Sequence, residues 1–388
     1  MMRQLRLVLV FAAVVVGCYY VSFLTASFFK HGCSLAAACG RLPQATHDLL
    51  AALGYVAVGV AGLAAGLLAH EAGHGVAGLM SGYRPVSFRL LSLVFTGDGR
   101  GRLRVRRYGI AGTFGQCLME PPAGPADRLP VVAYNLGGIV ANALLALAAA
   151  GVACAAGPGS VRIGAGVVAA VNAYLALVNG IPSRAAGVPN DGCNVRCLRH
   201  DAGARRLFVQ QLRLNAALQR GVRPAQVPAG WAEWHGVPDA ADAMQLMQFL
   251  FHVSRLLDQG RLHQALADLT AVWEQRSRML PLLRREVACE LTFCAAVLQR
   301  QDRVEQAYGP DVARYAGRYR RMMSGKQRLL WAVARYVEHD EARAQALLRE
   351  LEDRRGSYLM AGEVASDLAI MHALSAGTYP ADAPPVGE

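Results

Sequence analysis

The sequence predicts a mostly α-helical protein in two parts: a polytopic α-helical membrane domain of about four spans with a small interfacial β-hairpin, then a soluble domain of α-helical hairpin repeats. Three observations carry that reading. Apolar runs rich in Gly and Ala dominate up to about Pro182 and stop beyond it, where charge becomes frequent. A chain of 388 residues, 54% hydrophobic and with a positive mean hydropathy, has room for one unit in a bilayer and one outside it. Similar short stretches then recur in the second half at a period of roughly 40 residues, within the range of helical hairpins. The expected boundaries are 1–200 for the membrane domain, 201–238 for a connecting helix and linker, 239–378 for the helical domain and 379–388 for a disordered tail.

Taken in order, the chain places Arg3 and Arg6 before an apolar segment from Leu7 to about Phe29. Val15-Val16-Gly17-Cys18 looks like a lipoprotein cleavage site, but apolar residues continue through Tyr19, Tyr20, Val21, Phe23 and Leu24, so an uncleaved first span is expected. A loop from Lys30 to Asp48 leads to the second run, Leu49 to about Met80. Arg84, Arg89, Arg100, Arg102, Arg104, Arg106, Arg107 and Arg128 crowd the next loop, against Lys30 and Arg41 in the one before. That asymmetry puts the basic loop and both termini on the cytoplasmic side of a cell membrane, taken to be bacterial. Within the loop, Val86–Phe95 and Leu103–Arg106 read as two strands joined by a turn at Gly97–Gly101. Such a hairpin either offers an edge to which an extended substrate adds as a strand, or only covers a site. The third run extends from about Leu129 to Ala156 and the fourth from about Val161 to Val178.

The net charge of +12 raises the question of nucleic acid. The arginines fall in loops between apolar runs and along helical faces, without a DNA- or RNA-binding motif, so anionic lipid headgroups explain the excess and no nucleic-acid partner is expected. The nine cysteines form no zinc-ribbon or secreted disulfide framework. Cys33 and Cys39 would pair only if their loop faced an oxidising side.

Chemistry concentrates at His70-Glu71-Ala72-Gly73-His74, which follows a run from Leu49 to Ala69 with no charged residue. On a helix, His70 and His74 stand one turn apart on one face, so both imidazoles reach one divalent ion while Glu71 projects beside it. The alternative is a helix end reaching for the interface, yet ionisable groups are costly in hydrocarbon and rarely persist there without a task. Asn135 begins the stretch Asn135-Leu136-Gly137-Gly138-Ile139-Val140-Ala141-Asn142, level with the histidines, where close helix packing would equally account for small residues between two asparagines. Asp191 lies in Pro189-Asn190-Asp191-Gly192, a tight turn past the fourth run, where its plain role would be to cap its own backbone. These three separate elements converge on one side of the membrane.

At these residues the chain resembles the site-2 protease family of intramembrane zinc metalloproteases, whose motifs are an HExxH in one span and an Asn-x-x-Pro…Asp-Gly element at a later one. The matching residues are His70-Glu71-Ala72-Gly73-His74, and Asn179-Gly180-Ile181-Pro182 with Asp191-Gly192; Asn135…Gly138…Asn142 resembles the family's middle motif. The spacer from Pro182 to Asp191 is longer than in the best-known members, and Ile139 stands where they often have proline. The resemblance covers about Leu49 to Cys193. It implies one Zn²⁺ per chain held by His70, His74 and Asp191, Glu71 as general base, Asn135 steadying the substrate or the oxyanion, and a membrane-anchored protein or peptide as substrate.

After Gly192, Cys193, Cys197 and His200 could contribute to a second metal but lack a fourth ligand. Ala202–Gln219 reads as an amphipathic helix, and Pro224, Pro228, Gly230 and Pro238 mark a linker. The recurring stretches are Gly260–Leu266, Asp302–Tyr308 and Glu341–Leu347, similar to a degenerate tetratricopeptide array that presents a concave face to a protein partner. A plain helical bundle would look the same. Tyr315, Arg318, Tyr319, Arg320 and Arg321 read as a solvated face. Two other functions stay open: a non-catalytic membrane scaffold acting through its helical domain, which the intact Glu71 argues against, and a transporter, for which the spans are too few.

Overall fold

The computed structural model describes residues 16, 19–26, 42–97, 103–108, 115–185, 188–380 and 382. The chain divides into two compact units, Met1–Ala65 with Leu145–Ala173, and Gly66–Leu144 with Tyr174–Glu388. Among the described residues, three helices are long and apolar enough to cross a membrane: Leu42–Met80, Ala126–Ala155 and Ser160–Gly180. Of the first span expected from sequence, Val16 and residues 19–26 are helical; its remainder, and the Cys33–Cys39 pairing, lie outside the described residues.

The helix Leu42–Met80 has 39 residues, roughly 58 Å at 1.5 Å per residue, and takes in the end of the stretch expected as a loop, from Leu42 to Asp48. Pro43 stands in its first turn, where a missing N–H is harmless, and no proline follows within it. Gly82, at φ +79, ends it: the N–H of Gly82 reaches the carbonyl of Leu79 and that of Tyr83 reaches Gly78.

The expected hairpin is instead a four-stranded antiparallel sheet, ordered β3-β2-β1-β4, with β1 at Arg84–Leu90, β2 at Leu93–Gly97, β3 at Leu103–Arg107 and β4 at Gly115–Glu120. The stretch read as one strand breaks at Leu91, which adopts φ 54, and folds back so that Arg89 pairs with Val94. The pairing of β2 with β3 runs from Leu93↔Arg107 to Gly97↔Leu103, in keeping with the sequence reading. Gly115 and Gln116, beyond the two strands read from sequence, open β4, which pairs with β1 across an irregularity between Pro85 and Ser87. Pro85 has no N–H to give the ladder, which suits a bulge.

Beyond Pro189 the chain is helical. The connecting helix Ala202–Gln219 packs on the sheet and on the helix Val131–Ala155, with Leu212 joining Tyr83, Leu118, Met119 and Tyr134 in one cluster. A second contact gathers Val94 and Tyr108 with Leu359, Met322 and Met323. The helices Leu262–Trp273 and Glu341–Arg354 each begin two residues after a left-handed residue, Gly260 at φ 78 and His339 at φ 54, and Gln301–Ala307 does the same after Gln299 at φ 55. The recurring sequence stretches fall at these entries.

The helical core around Phe249, Phe293 and Trp331 also contains buried ion pairs. Lys326 pairs with Glu286 at 2.6 Å, while Arg328 bridges Asp367, at 2.6 Å, and Glu290, and lies 4.3 Å over the Phe293 ring. Tyr315, expected on a solvated face, is buried and donates to Glu286. The stretch expected as a disordered tail starts with anchored residues: Tyr379 donates to the Leu257 carbonyl, and Asp382 accepts the N–H groups of His263 and Gln264. The other residues of the tail, apart from Pro380, lie outside the described residues.

Burial, then Asp367 and Glu290 beside it, push Glu363 up from the ordinary 4.5 to about 8. The folded state therefore holds a proton that the unfolded state releases, and stability drains away as pH climbs from 4.5 to about 8. Glu363→Gln is expected to raise the thermal unfolding temperature more at pH 9 than at pH 5, by a few degrees or so. Equal shifts at both pH values would show that the carboxyl is not held neutral.

Candidate metal centre

His70, Glu71 and His74 sit in the last third of the long helix, all buried. The helix reaches its neighbours through glycines. Gly73 and the Gly137 of Val131–Ala155 lie backbone to backbone, so a Cβ on either would overlap the other's carbonyl oxygen. Gly75 and Gly78 face Cys117 and Met119 of β4. Gly138 forms the floor under the two rings: a Cβ there would stand 2.6 Å from both His70 Cε1 and His74 Nε2.

Asp191 arrives from the other direction. Asn190 caps the helix Asp191–His200 by accepting the Cys193 N–H, and its Nδ2 donates to the carbonyls of Val178 (2.6 Å) and Ile181 (2.7 Å). Gly192 lies against the Gly180 carbonyl, closer than any side chain would allow. Because Asn190 does the capping, the Asp191 carboxylate is free to turn towards the histidines, which replaces the plain turn role considered above. His70 Nε2 lies 2.9 Å from Asp191 Oδ2, His74 Nε2 lies 3.3 Å from it, and the two Nε2 atoms are 3.2 Å apart.

The hydrogens decide what this cluster can do. His74 Nδ1 lies 2.8 Å from the Tyr134 carbonyl oxygen, which only accepts, so Nδ1 carries the hydrogen and Nε2 the lone pair. His70 Nδ1 lies 2.8 Å from Asn142 Oδ1, and the same amide donates its Nδ2 to the Gly66 carbonyl, which fixes its orientation and puts the hydrogen of His70 on Nδ1 as well. Asp191 Oδ2 is buried with no hydrogen-bond donor among the described residues. Three lone-pair donors thus face one another. Ligands around a tetrahedral ion at about 2.0–2.1 Å stand roughly 3.3 Å apart, so the His70–His74–Asp191 cluster could hold a metal ion.

Glu71 lies beside the cluster, not in it. Gly115 of β4 presses on its carboxylate, where a Cβ would collide with Oε1. Arg89, 2% exposed, donates to the Gly115 carbonyl at 2.9 Å and to that of Leu91 at 3.0 Å. Burial lowers the Arg89 pKa, and the Glu71 carboxylate is the largest influence opposing it. Asn135 is buried on the same helix as Gly138; it donates to the Val131 carbonyl and accepts from Asn194 Nδ2 at 3.3 Å. No hydrogen bond joins it to His70, His74 or Asp191 among the described residues. Cys193 and Cys197 are free thiols, and among the described residues no metal-ligand group forms around them with His200.

Sequence reading named the three residues that the structure gathers into one cluster, and Glu71 beside them, but not the groups behind them: the Tyr134 carbonyl, Arg89 and Gly115. Asn142 was visible as a packing asparagine two turns from Asn135 and as the end of the stretch resembling the family's middle motif, but its bond to His70 was not. No family model, curated protein or solved structure matches the chain.

Since Asn142 fixes the tautomer of His70, Asn142→Leu is expected to weaken metal binding about 10–100-fold, read by competition with a calibrated chelator. Unchanged affinity would mean that the bond to His70 carries no weight.

Proposed function

We propose that the chain is an intramembrane zinc metalloprotease, resembling the site-2 protease family, that hydrolyses a peptide bond in a membrane-anchored protein or peptide. The observation that carries this reading is the meeting of His70 Nε2, His74 Nε2 and Asp191 Oδ2 with a buried carboxylate, Glu71, at its side. Two imidazoles and one carboxylate form a donor set of zinc hydrolases that leaves one position open. Zinc bound there would supply Lewis acidity to a water and to the scissile carbonyl.

The chain's own groups supply the rest. Glu71 takes the water's proton and passes it to the leaving amine, while Arg89 and Gly115 hold its carboxylate in place. Asn135 spends one N–H on Val131 and keeps a second for the substrate carbonyl. Gly138 keeps the floor of the site open. A substrate helix must unwind there, because a helical amide is poorly exposed to attack. Leu53, Val56, Val60, Leu144 and Leu147 turn outward from the long helices, which suits lipid around a polytopic domain. The arginine asymmetry supports a cytoplasmic site, and the repeated helix entries support a tetratricopeptide-like array suited to a protein partner.

Glu71→Ala is expected to keep zinc at the wild-type stoichiometry and to lose at least about a hundredfold in cleavage. In cells it should cause a membrane peptide to accumulate that the wild type removes, read by comparing membrane peptidomes. Undiminished turnover in that variant would overturn the mechanism.

A further inference from the structure

Away from the metal centre, a cavity of about 220 Å³ lies between the loop 234–237 and the helices Ala243–Asp258 and Leu262–Trp273. Trp234, Val237 and Phe249 supply apolar and aromatic wall, and His252, Gln264 and Asp268 supply polar groups. His252 Nδ1 accepts the backbone N–H of Trp234 at 3.3 Å, which leaves its own hydrogen on Nε2. That nitrogen stands 3.5 Å from Asp268 Oδ2, too far for a good hydrogen bond. The His252 side chain is 8% exposed and that of Asp268 34%, so the carboxylate marks the open end and the imidazole the closed one.

The charge pattern runs against the chain as a whole. The protein carries 40 Lys and Arg against 28 Asp and Glu, yet no Lys or Arg lines this cavity, and Asp268 is its one formally charged lining residue. A carboxylate beside aromatic faces favours an organic cation. The volume is far larger than a bare metal ion needs. A lysine or arginine side chain offers both a cation for the carboxylate and an apolar stem for the aromatic wall.

We propose that this cavity binds a lysine or arginine side chain. The ammonium or guanidinium meets Asp268, and the side-chain stem lies along Trp234 and Phe249. The site is separate from the metal centre, and its occupancy does not depend on proteolysis.

The test uses the full-length protein in detergent micelles, with N-acetyl-arginine amide and N-acetyl-lysine amide as probes and N-acetyl-norleucine amide as the uncharged control. Calorimetry and tryptophan fluorescence should show saturable binding of at least one basic probe with Kd on the order of 1 mM. The control should bind at least about tenfold more weakly, and Asp268→Asn should weaken the basic probe about tenfold. Equal binding of the control, or no saturable binding of either basic probe, would overturn the proposal on the wild-type protein alone. So would undiminished binding in Asp268→Asn.

Discussion

Lone pairs on Nε2 of His70 and His74 and on Oδ2 of Asp191 face one another across 2.9 to 3.3 Å, a repulsive arrangement until a cation lies among them. Much of the surrounding structure follows from bringing those atoms together. Gly73 and Gly137 let two helices touch backbone to backbone, and this brings Gly138 beneath the imidazoles. Gly192 against Gly180 does the same for the turn that delivers Asp191. Asn142 and the Tyr134 carbonyl then fix both rings with their hydrogens turned outward. At each close approach a side chain would cost more than the conformational freedom that glycine gives up.

The sheet ties the site to the helical part. Leu359 packs with Val94, Val94 pairs with Arg89, Arg89 holds the Gly115 carbonyl, and Gly115 rests on the Glu71 carboxylate. Glu71 is thus supported by Gly115 of β4, whose carbonyl the buried Arg89 of β1 holds, and, through the strands, by residues more than two hundred positions later. The ion pairs of Lys326 and Arg328 stiffen that later part, where unpaired charges would be costly and paired ones fix the packing.

The ligand pair was legible because the spacing of His70 and His74 matches the helical turn, a local relation that sequence displays directly. Asp191 was legible from the turn residues around it, although its capping neighbour Asn190 was not, since either residue type serves as a cap. The second layer was hidden for two reasons. An asparagine that orients an imidazole reads the same as one that packs, and the carbonyl of Tyr134 has no sequence signature at all. The sheet was misread at Leu91 because a leucine at positive φ runs against local preference, and the reversal there depends on pairing with distant β4. Tyr315 was taken for surface because its partner, Glu286, lies on another helix.

X-ray absorption at the zinc edge of the purified full-length protein tests the metal centre most directly. One zinc per chain is expected, bound by two imidazole nitrogens and by oxygen at about 2.0–2.1 Å, with no sulfur in the shell. A metal-free protein after zinc loading, or a shell containing thiolate from Cys193 or Cys197, would contradict the assignment of His70, His74 and Asp191.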